Sequence, residues 1–135
     1  MFPGVVPVAR TLPIDGSLLD DALLRLRRDS SATLRWTLGT CGSAEVDTTF
    51  VEHNGAWATC VRLWNAAGRA VTAATLRLAA AGPDEVSLTL EPTLPPASAW
   101  GDDGEALVEL AQAAADEFAE ELLWHASRAG FTHRG

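Results

Sequence analysis

The dipeptide Asn54-Gly55 constrains the fold of this chain more than any other feature. A two-residue type I′ turn requires a positive φ at both central positions, and Asn followed by Gly adopts it most readily. Segments of alternating apolar and polar residues flank the dipeptide on both sides. The sequence therefore predicts a β-hairpin over residues 44–64, with its turn at this dipeptide.

The predicted hairpin has one core face and one solvent face. If the turn alone sets the register, Asp47 opposes Arg62, and such an opposite-charge pair suits the solvent face. In the same register three pairs lie on the opposite face: Val46 with Leu63, Thr48 with Val61, and Phe50 with Thr59. The predicted core face carries Val46, Thr48, Phe50, Glu52, Trp57, Thr59, Val61 and Leu63.

A length of 135 residues indicates a single domain over residues 1–135.

The charge and composition bear on partners and chemistry. The chain has 18 acidic and 10 basic residues and a net charge of −8. Phosphate binding needs a concentrated positive surface, so we expect no nucleic-acid partner. Lysine and tyrosine are absent from the sequence, which removes Schiff-base chemistry and phenolic acids. No catalytic signature is present, and the residues leave open whether the chain is an enzyme.

The cysteines and the N-terminus bear on cofactors and compartment. Cys41 and Cys60 are too few for a disulfide framework, and no Cys/His cluster has zinc spacing, so we expect no metal and no cofactor. Pro3, Pro7 and the lack of a basic segment argue against a signal peptide. No stretch approaches the roughly 20 apolar residues of a membrane span. These features predict a cytoplasmic protein.

Further elements are predicted around the hairpin. A first strand over residues 5–12 should occupy a sheet edge, because Pro7 has no amide donor. A short amphipathic helix over residues 17–28 has an acidic first turn and a basic last turn. Period-two alternation predicts strands over residues 32–38, 70–80 and 86–91. Together with the hairpin they make an antiparallel meander within a sheet of about six strands, with one apolar face.

The C-terminal part predicts one long helix. Asp102 and Glu105 have capping-box spacing, and nothing breaks a helix before about residue 129. At 1.5 Å per residue this helix is roughly 40 Å long, enough to cross the whole sheet. One stripe of the helical wheel faces the core: Leu107, Ala111, Ala114, Phe118, Leu122 and His125.

The order of elements resembles the helix-grip fold of the START/Bet v 1-like (SRPBCC) superfamily, which includes polyketide cyclases and lipid-transfer proteins. The chain is similar to a small bacterial member of this superfamily. Three features carry the resemblance: residues 8–14 running into the short helix, the strand pattern over residues 32–92 and the inward stripe of the last helix. It implies an α+β domain whose curved sheet grips the long helix and leaves a pocket for an apolar or aromatic ligand. The chain departs from the family in having six predicted strands instead of seven and one early helix instead of two.

The expected pocket lies between the sheet and the last helix. Large apolar residues there are most often plain core, whereas a few polar groups among them are typical of a ligand site. Glu52 and His125 are the one acid and base combination that the sequence could present to the pocket. Each has an alternative interpretation: Glu52 is a solvated carboxylate near the hairpin tip, and His125 is a partly exposed residue near a helix end. The predicted ligand-binding residues are Trp36, Thr48, Phe50, Glu52, Trp57, Thr59, Val61, Leu76, Phe118, Leu122 and His125.

Three functions fit this sequence. The first is a binding or carrier domain for a small hydrophobic molecule, without covalent chemistry. The second is a polyketide-cyclase-like enzyme that folds its substrate and uses one or two polar residues for proton transfer. The third is a ligand-free interaction module or homodimer, with Trp64 and Trp124 on outer surfaces. We expect the first.

Overall fold

The computed structural model describes residues 7–30, 33–38, 40, 42–65, 71–92 and 104–133. They form an α+β fold, as the sequence predicts. The elements are, in chain order, β1 (Val8–Leu12), a 3₁₀ turn (Gly16–Leu18), α1 (Leu19–Asp29), β2 (Thr33–Thr37), β3 (Gly42–Asp47), β4 (Val51–His53), β5 (Ala56–Asn65), β6 (Val71–Gly82), β7 (Glu85–Pro92) and α2 (Gly104–His133).

The described strands form one antiparallel sheet in the order β1-β7-β6-β5-β3-β2, and β4 pairs with the turn end of β5. The predicted meander is confirmed, since β2, β3, β5, β6 and β7 lie beside one another in that order. Strand β1 begins directly after Pro7 and lies at the sheet edge next to β7. The strand that follows the proline therefore lies at a sheet edge, as the sequence predicts.

The turn of the hairpin is confirmed. Asn54 has a φ of 52° and Gly55 a φ of 80°, and His53 lies opposite Ala56. No atom beyond the neighbouring residues lies within 4 Å of a Cβ built on Gly55, so backbone conformation alone selects glycine there.

The register predicted by counting outward from the turn holds between β4 and β5 but is wrong between β3 and β5. Val46 pairs with Val61 instead of Leu63, and Arg62 lies opposite Glu45 instead of Asp47. The predicted partners of Thr48 and Phe50 are also wrong, because residues 48–50 form no ladder pairs among the described strands. The predicted single strand is thus two strands, β3 and β4, and the sheet has seven strands where the sequence predicted about six.

Two extra residues cause this break. Five positions separate Val46 from Val51, whereas three separate their partners Val61 and Ala58. Because side chains alternate with a period of two, an insertion of two residues leaves the alternation in phase. The predicted core face therefore survives the change of register: Val46, Thr48, Thr59, Val61 and Leu63 are buried.

Asp47 and Thr59 stabilise the break. The Asp47 Oδ1 accepts a 2.8 Å hydrogen bond from the amide of Thr49, the local bond by which aspartate favours turns. The Thr59 Oγ1 lies 2.8 Å from the carbonyl oxygen of Asp47 and 3.1 Å from that of Thr49, and donates to them. Buried Thr59 thus satisfies backbone acceptors at the point where the ladder is interrupted.

The helices cover one face of the sheet. The Asp15 carboxylate accepts hydrogen bonds from the amide and hydroxyl of Ser17 at the start of the 3₁₀ turn, and these bonds lower the pKa of Asp15. Helix α2 packs against α1 and against β1, β7, β5 and β3. Its predicted stripe is buried from Ala111 to His125. The side chain of Leu107 and the proposed cap at Asp102 lie outside the described part of the structure.

Candidate functional site

The apolar inner face of the sheet has two parts that differ in burial. The closed half is fully buried and consists of Val61, Leu63, Leu76, Leu78, Leu88 and Leu90. The open half packs against this core but keeps part of its surface accessible, and it consists of Leu34, Trp36, Leu38, Phe50 and Trp57. Three of the predicted ligand-binding residues, all aromatic, lie in the open half.

Phe118 of α2 contacts aromatic residues of the open half. It is 1% exposed, and its ring centroid lies 6.4 Å from that of Trp36 in an edge-to-face arrangement. The Phe50 ring centroid lies 5.8 Å from that of Phe118, and the planes of these two rings are tilted by 41°. Such geometries add about 0.5–1.5 kcal/mol per pair to the burial of apolar area. The three rings form an aromatic cluster between the sheet and α2, with Trp57 further along the inner face opposite Leu78.

Five other predicted site residues belong to the packed interior. Val61, Leu76 and Leu122 are at most 1% exposed. Thr48 and Thr59 are buried as well, and the hydroxyl of Thr59 is already engaged by the backbone around the break. These residues therefore belong to the buried core, and Thr59 has a structural role that explains a polar group on the core face.

Glu52 and His125 are not brought together as an acid and base pair. Glu52 is exposed beside the hairpin turn, as expected for a solvated carboxylate. His125 is 3% exposed, so the expectation of a partly exposed histidine is wrong, because the end of α1 lies against this part of α2. The carboxylates of the described residues within 4 Å of the His125 imidazole are those of Asp29 and Glu121.

Sequence reasoning missed a charged cluster on the outer face of the sheet. Glu45 lies between two arginines of adjacent strands: Nε and Nη2 of Arg35 donate to its Oε2, and Nη1 of Arg62 lies 3.5 Å from its Oε1. The guanidinium of Arg35 also lies 6.0 Å from the ring centroid of Trp64. Alternation alone placed these side chains on one face, but only the true register shows that Glu45, not Asp47, pairs with Arg62.

The tryptophans of the interaction hypothesis lie on different layers. Trp124 of α2 is 49% exposed, and the Arg128 guanidinium lies 4.4 Å from its ring centroid. Trp64 lies half-buried on the outer face of the sheet. Both rings therefore have an arginine beside them, and they belong to two separate surfaces instead of one patch.

Two clefts formed by described residues lie on the helix side of the molecule. A cleft of about 280 Å³ is lined by Pro13, Ile14, Asp15, Leu18, Leu123, Ala126 and Ser127. Another of about 350 Å³ follows the surface of α2 and is lined by Glu117, Glu120, Glu121 and Trp124. Neither contains a predicted ligand-binding residue. Within the described ranges, no three His, Cys, Asp or Glu side chains are placed to hold a metal ion, and no helix is long and apolar enough to cross a membrane.

Comparison with known proteins gives little further information. No protein-family model matches the chain, and no curated protein matches it. Among solved structures, that of TTHA0849 from Thermus thermophilus is similar to it, with a TM-score of 0.39 and 14% sequence identity over 87% of this chain and 96% of that one. Similarity at this level assigns neither a family nor a function.

Proposed function

We propose that the chain binds or carries a small hydrophobic molecule between the sheet and α2, as a START/Bet v 1-like domain. The observation that carries the proposal is the open half of the inner face. There the large side chains of Trp36, Phe50 and Trp57 stay partly accessible beside an otherwise fully buried core. A ligand lying on them would remove apolar surface from water at about 25 cal/mol per Å².

The chemistry around the aromatic cluster favours an uncharged ligand. Trp36 and Phe50 pack against the apolar core, which includes Leu122 of α2, and Leu34 of β2 packs against the same core. On this face of the sheet the buried polar groups among the predicted site residues are Thr48 and Thr59, and the Thr59 hydroxyl has backbone partners. An aromatic or aliphatic molecule with few polar atoms is therefore the expected class of ligand.

Binding without catalysis is favoured over a cyclase-like activity. Proton transfer needs an acid or base within hydrogen-bond reach of the substrate. Glu52 is solvated, and His125 faces α1 and its own helix through Asp29 and Glu121. We also propose a cytoplasmic location, with which the free and exposed thiol of Cys60 is compatible.

The first experiment is native mass spectrometry of the protein from its expression host, compared with its denatured mass. A retained small hydrophobic molecule is the expected result, and the same spectrum reports monomer or homodimer. Protein without ligand would then be titrated with the methyl ester of 11-(dansylamino)undecanoic acid, which carries no carboxylate charge, following energy transfer from tryptophan to the dansyl group. Saturable binding of one probe per chain is expected.

Two matched substitutions localise the site. Trp36→Ala should weaken binding of the dansyl probe about tenfold, which corresponds to about 1.4 kcal/mol. Trp124→Ala removes an equal side chain from the outer surface of α2 and should leave the affinity unchanged. The absence of both a retained molecule and saturable probe binding would refute the proposal. Equal changes in probe affinity in the two variants would mean that the probe does not bind at the aromatic cluster.

A further inference from the structure

His125 is a titratable group buried where α1 and α2 meet. It is 3% exposed, and its Nδ1 has no hydrogen-bond partner within the described part of the chain. This nitrogen lies 3.8 Å from Oδ2 of Asp29, the last residue of α1. Its Nε2 lies 3.8 Å from Oε2 of Glu121, one turn earlier on α2. Both distances are too long for hydrogen bonds.

We propose that His125 is a proton-sensitive contact through which acid loosens α1 from α2. The neutral imidazole fits the buried site, with the ring of Trp124 packed edge-on at a centroid distance of 4.9 Å. Protonation places a cation in a position with little access to water, and in this arrangement neither carboxylate forms a hydrogen bond with the ring. The proposal concerns helix packing and does not depend on a hydrophobic ligand.

The charges facing His125 oppose one another. Burial lowers the pKa of the imidazole below 6.5, while Glu121 and Asp29 raise it. Arg25 of α1 and Arg128 of α2 lower the pKa further. The folded state therefore binds this proton less readily than the unfolded state does. Stability is fully present above the unfolded-state value near 6.5 and is lost as the pH falls toward the lower folded-state pKa.

The experiment is an NMR titration of the histidine ring resonances between pH 8 and 5, with amide-exchange protection factors measured at pH 7.5 and 5.5. In this window most carboxylates stay ionised, so histidines dominate the change. His125 should titrate below the unfolded-state value near 6.5. Each pKa unit of difference corresponds to about a tenfold loss in the folding equilibrium constant when titration is complete. Protection in α1 should fall by more than in β6.

Two substitutions provide the comparison. His125→Phe keeps a planar ring without a titratable group and should flatten the pH dependence of α1 protection, whereas His53→Gln should leave it as in the parent protein. If His125→Phe does not fold, the titration of the parent protein decides alone. A His125 pKa at or above the unfolded-state value near 6.5 would overturn the proposal, because the carboxylates would then favour the proton and acid would tighten the contact. An unchanged pH dependence in His125→Phe would overturn it too.

Discussion

The closed and open halves of the inner face have the same kind of sequence but different burial. Both consist of large apolar residues alternating with polar ones, and both face the helical layer. In the closed half every strand has neighbours on both sides, and Leu88 on β7 and Leu78 on β6 face each other directly. In the open half, Leu34 and Trp36 lie on β2, which among the described strands pairs only with β3. Phe50 lies in the break before β4, and Trp57 lies near the hairpin turn at the start of β5. The difference shows that alternation selects a face, whereas strand position and the covering helix decide how completely that face is buried.

The aromatic residues provide the strongest test of this difference. Phe118→Ala should lower the free energy of unfolding by about 3–5 kcal/mol, because a fully buried ring is removed. Phe50→Ala removes the same atoms from a half-buried position and should cost roughly 1–2 kcal/mol. Urea unfolding followed by circular dichroism measures both. Equal losses would mean that Phe50 is as enclosed as Phe118 and that the open half is closed in solution.

Leucine substitutions make the same comparison on the sheet itself. Leu88→Ala in the closed half should destabilise the protein by about 2–5 kcal/mol through the cavity it leaves. Leu34→Ala in the open half should destabilise it by about 1 kcal/mol, since that side chain keeps part of its exposure. The difference between the two midpoints in urea is the quantity to measure. A larger loss for Leu34→Ala would contradict the division of the inner face.

The break between β3 and β4 tests how the open half is held in place. Thr59→Val keeps the shape of the side chain but removes the hydroxyl that bonds the carbonyls of Asp47 and Thr49, and should cost about 1–3 kcal/mol. Thr75→Val, on the outer face of β6, is the control and should change stability by no more than about 0.5 kcal/mol. Equal losses of stability in the two variants would mean that the hydrogen bonds of Thr59 do not stabilise the break.

The last comparison concerns the hairpin tip, outside both halves. Gly55→Ala should cost roughly 1–2 kcal/mol, because alanine is strained at a φ of 80° although its methyl group meets no neighbour. Gly82→Ala is a suitable control, since its added methyl makes only ordinary contacts with Glu85. Thermal unfolding of the two variants gives the comparison. A harmless Gly55→Ala would mean that the turn does not hold the register of β4 and β5.

Features that depend on neighbours in the chain were predictable. The Asn54-Gly55 turn, the dipole-complementing charges of α1 and the buried stripe of α2 all follow from local backbone preference and side-chain periodicity. The prediction of which hairpin face points inward was also correct, because the break contains an even number of extra residues. Asp47 followed by two threonines was the one local sign of that break, and it was too weak to locate it.

Features that depend on distant parts of the chain needed the tertiary structure. The pairing of Glu45 with Arg62 follows from a β3–β5 register shifted by two residues, and its pairing with Arg35 follows from the register of β2 on β3. The burial of His125 beside Asp29 follows from the packing of α1 on α2, which periodicity within either helix does not specify. The sequence by itself determined which residues face inward, because periodicity is a local property. Only the tertiary structure decided which of them are sealed and which stay accessible, because burial depends on the elements that cover them.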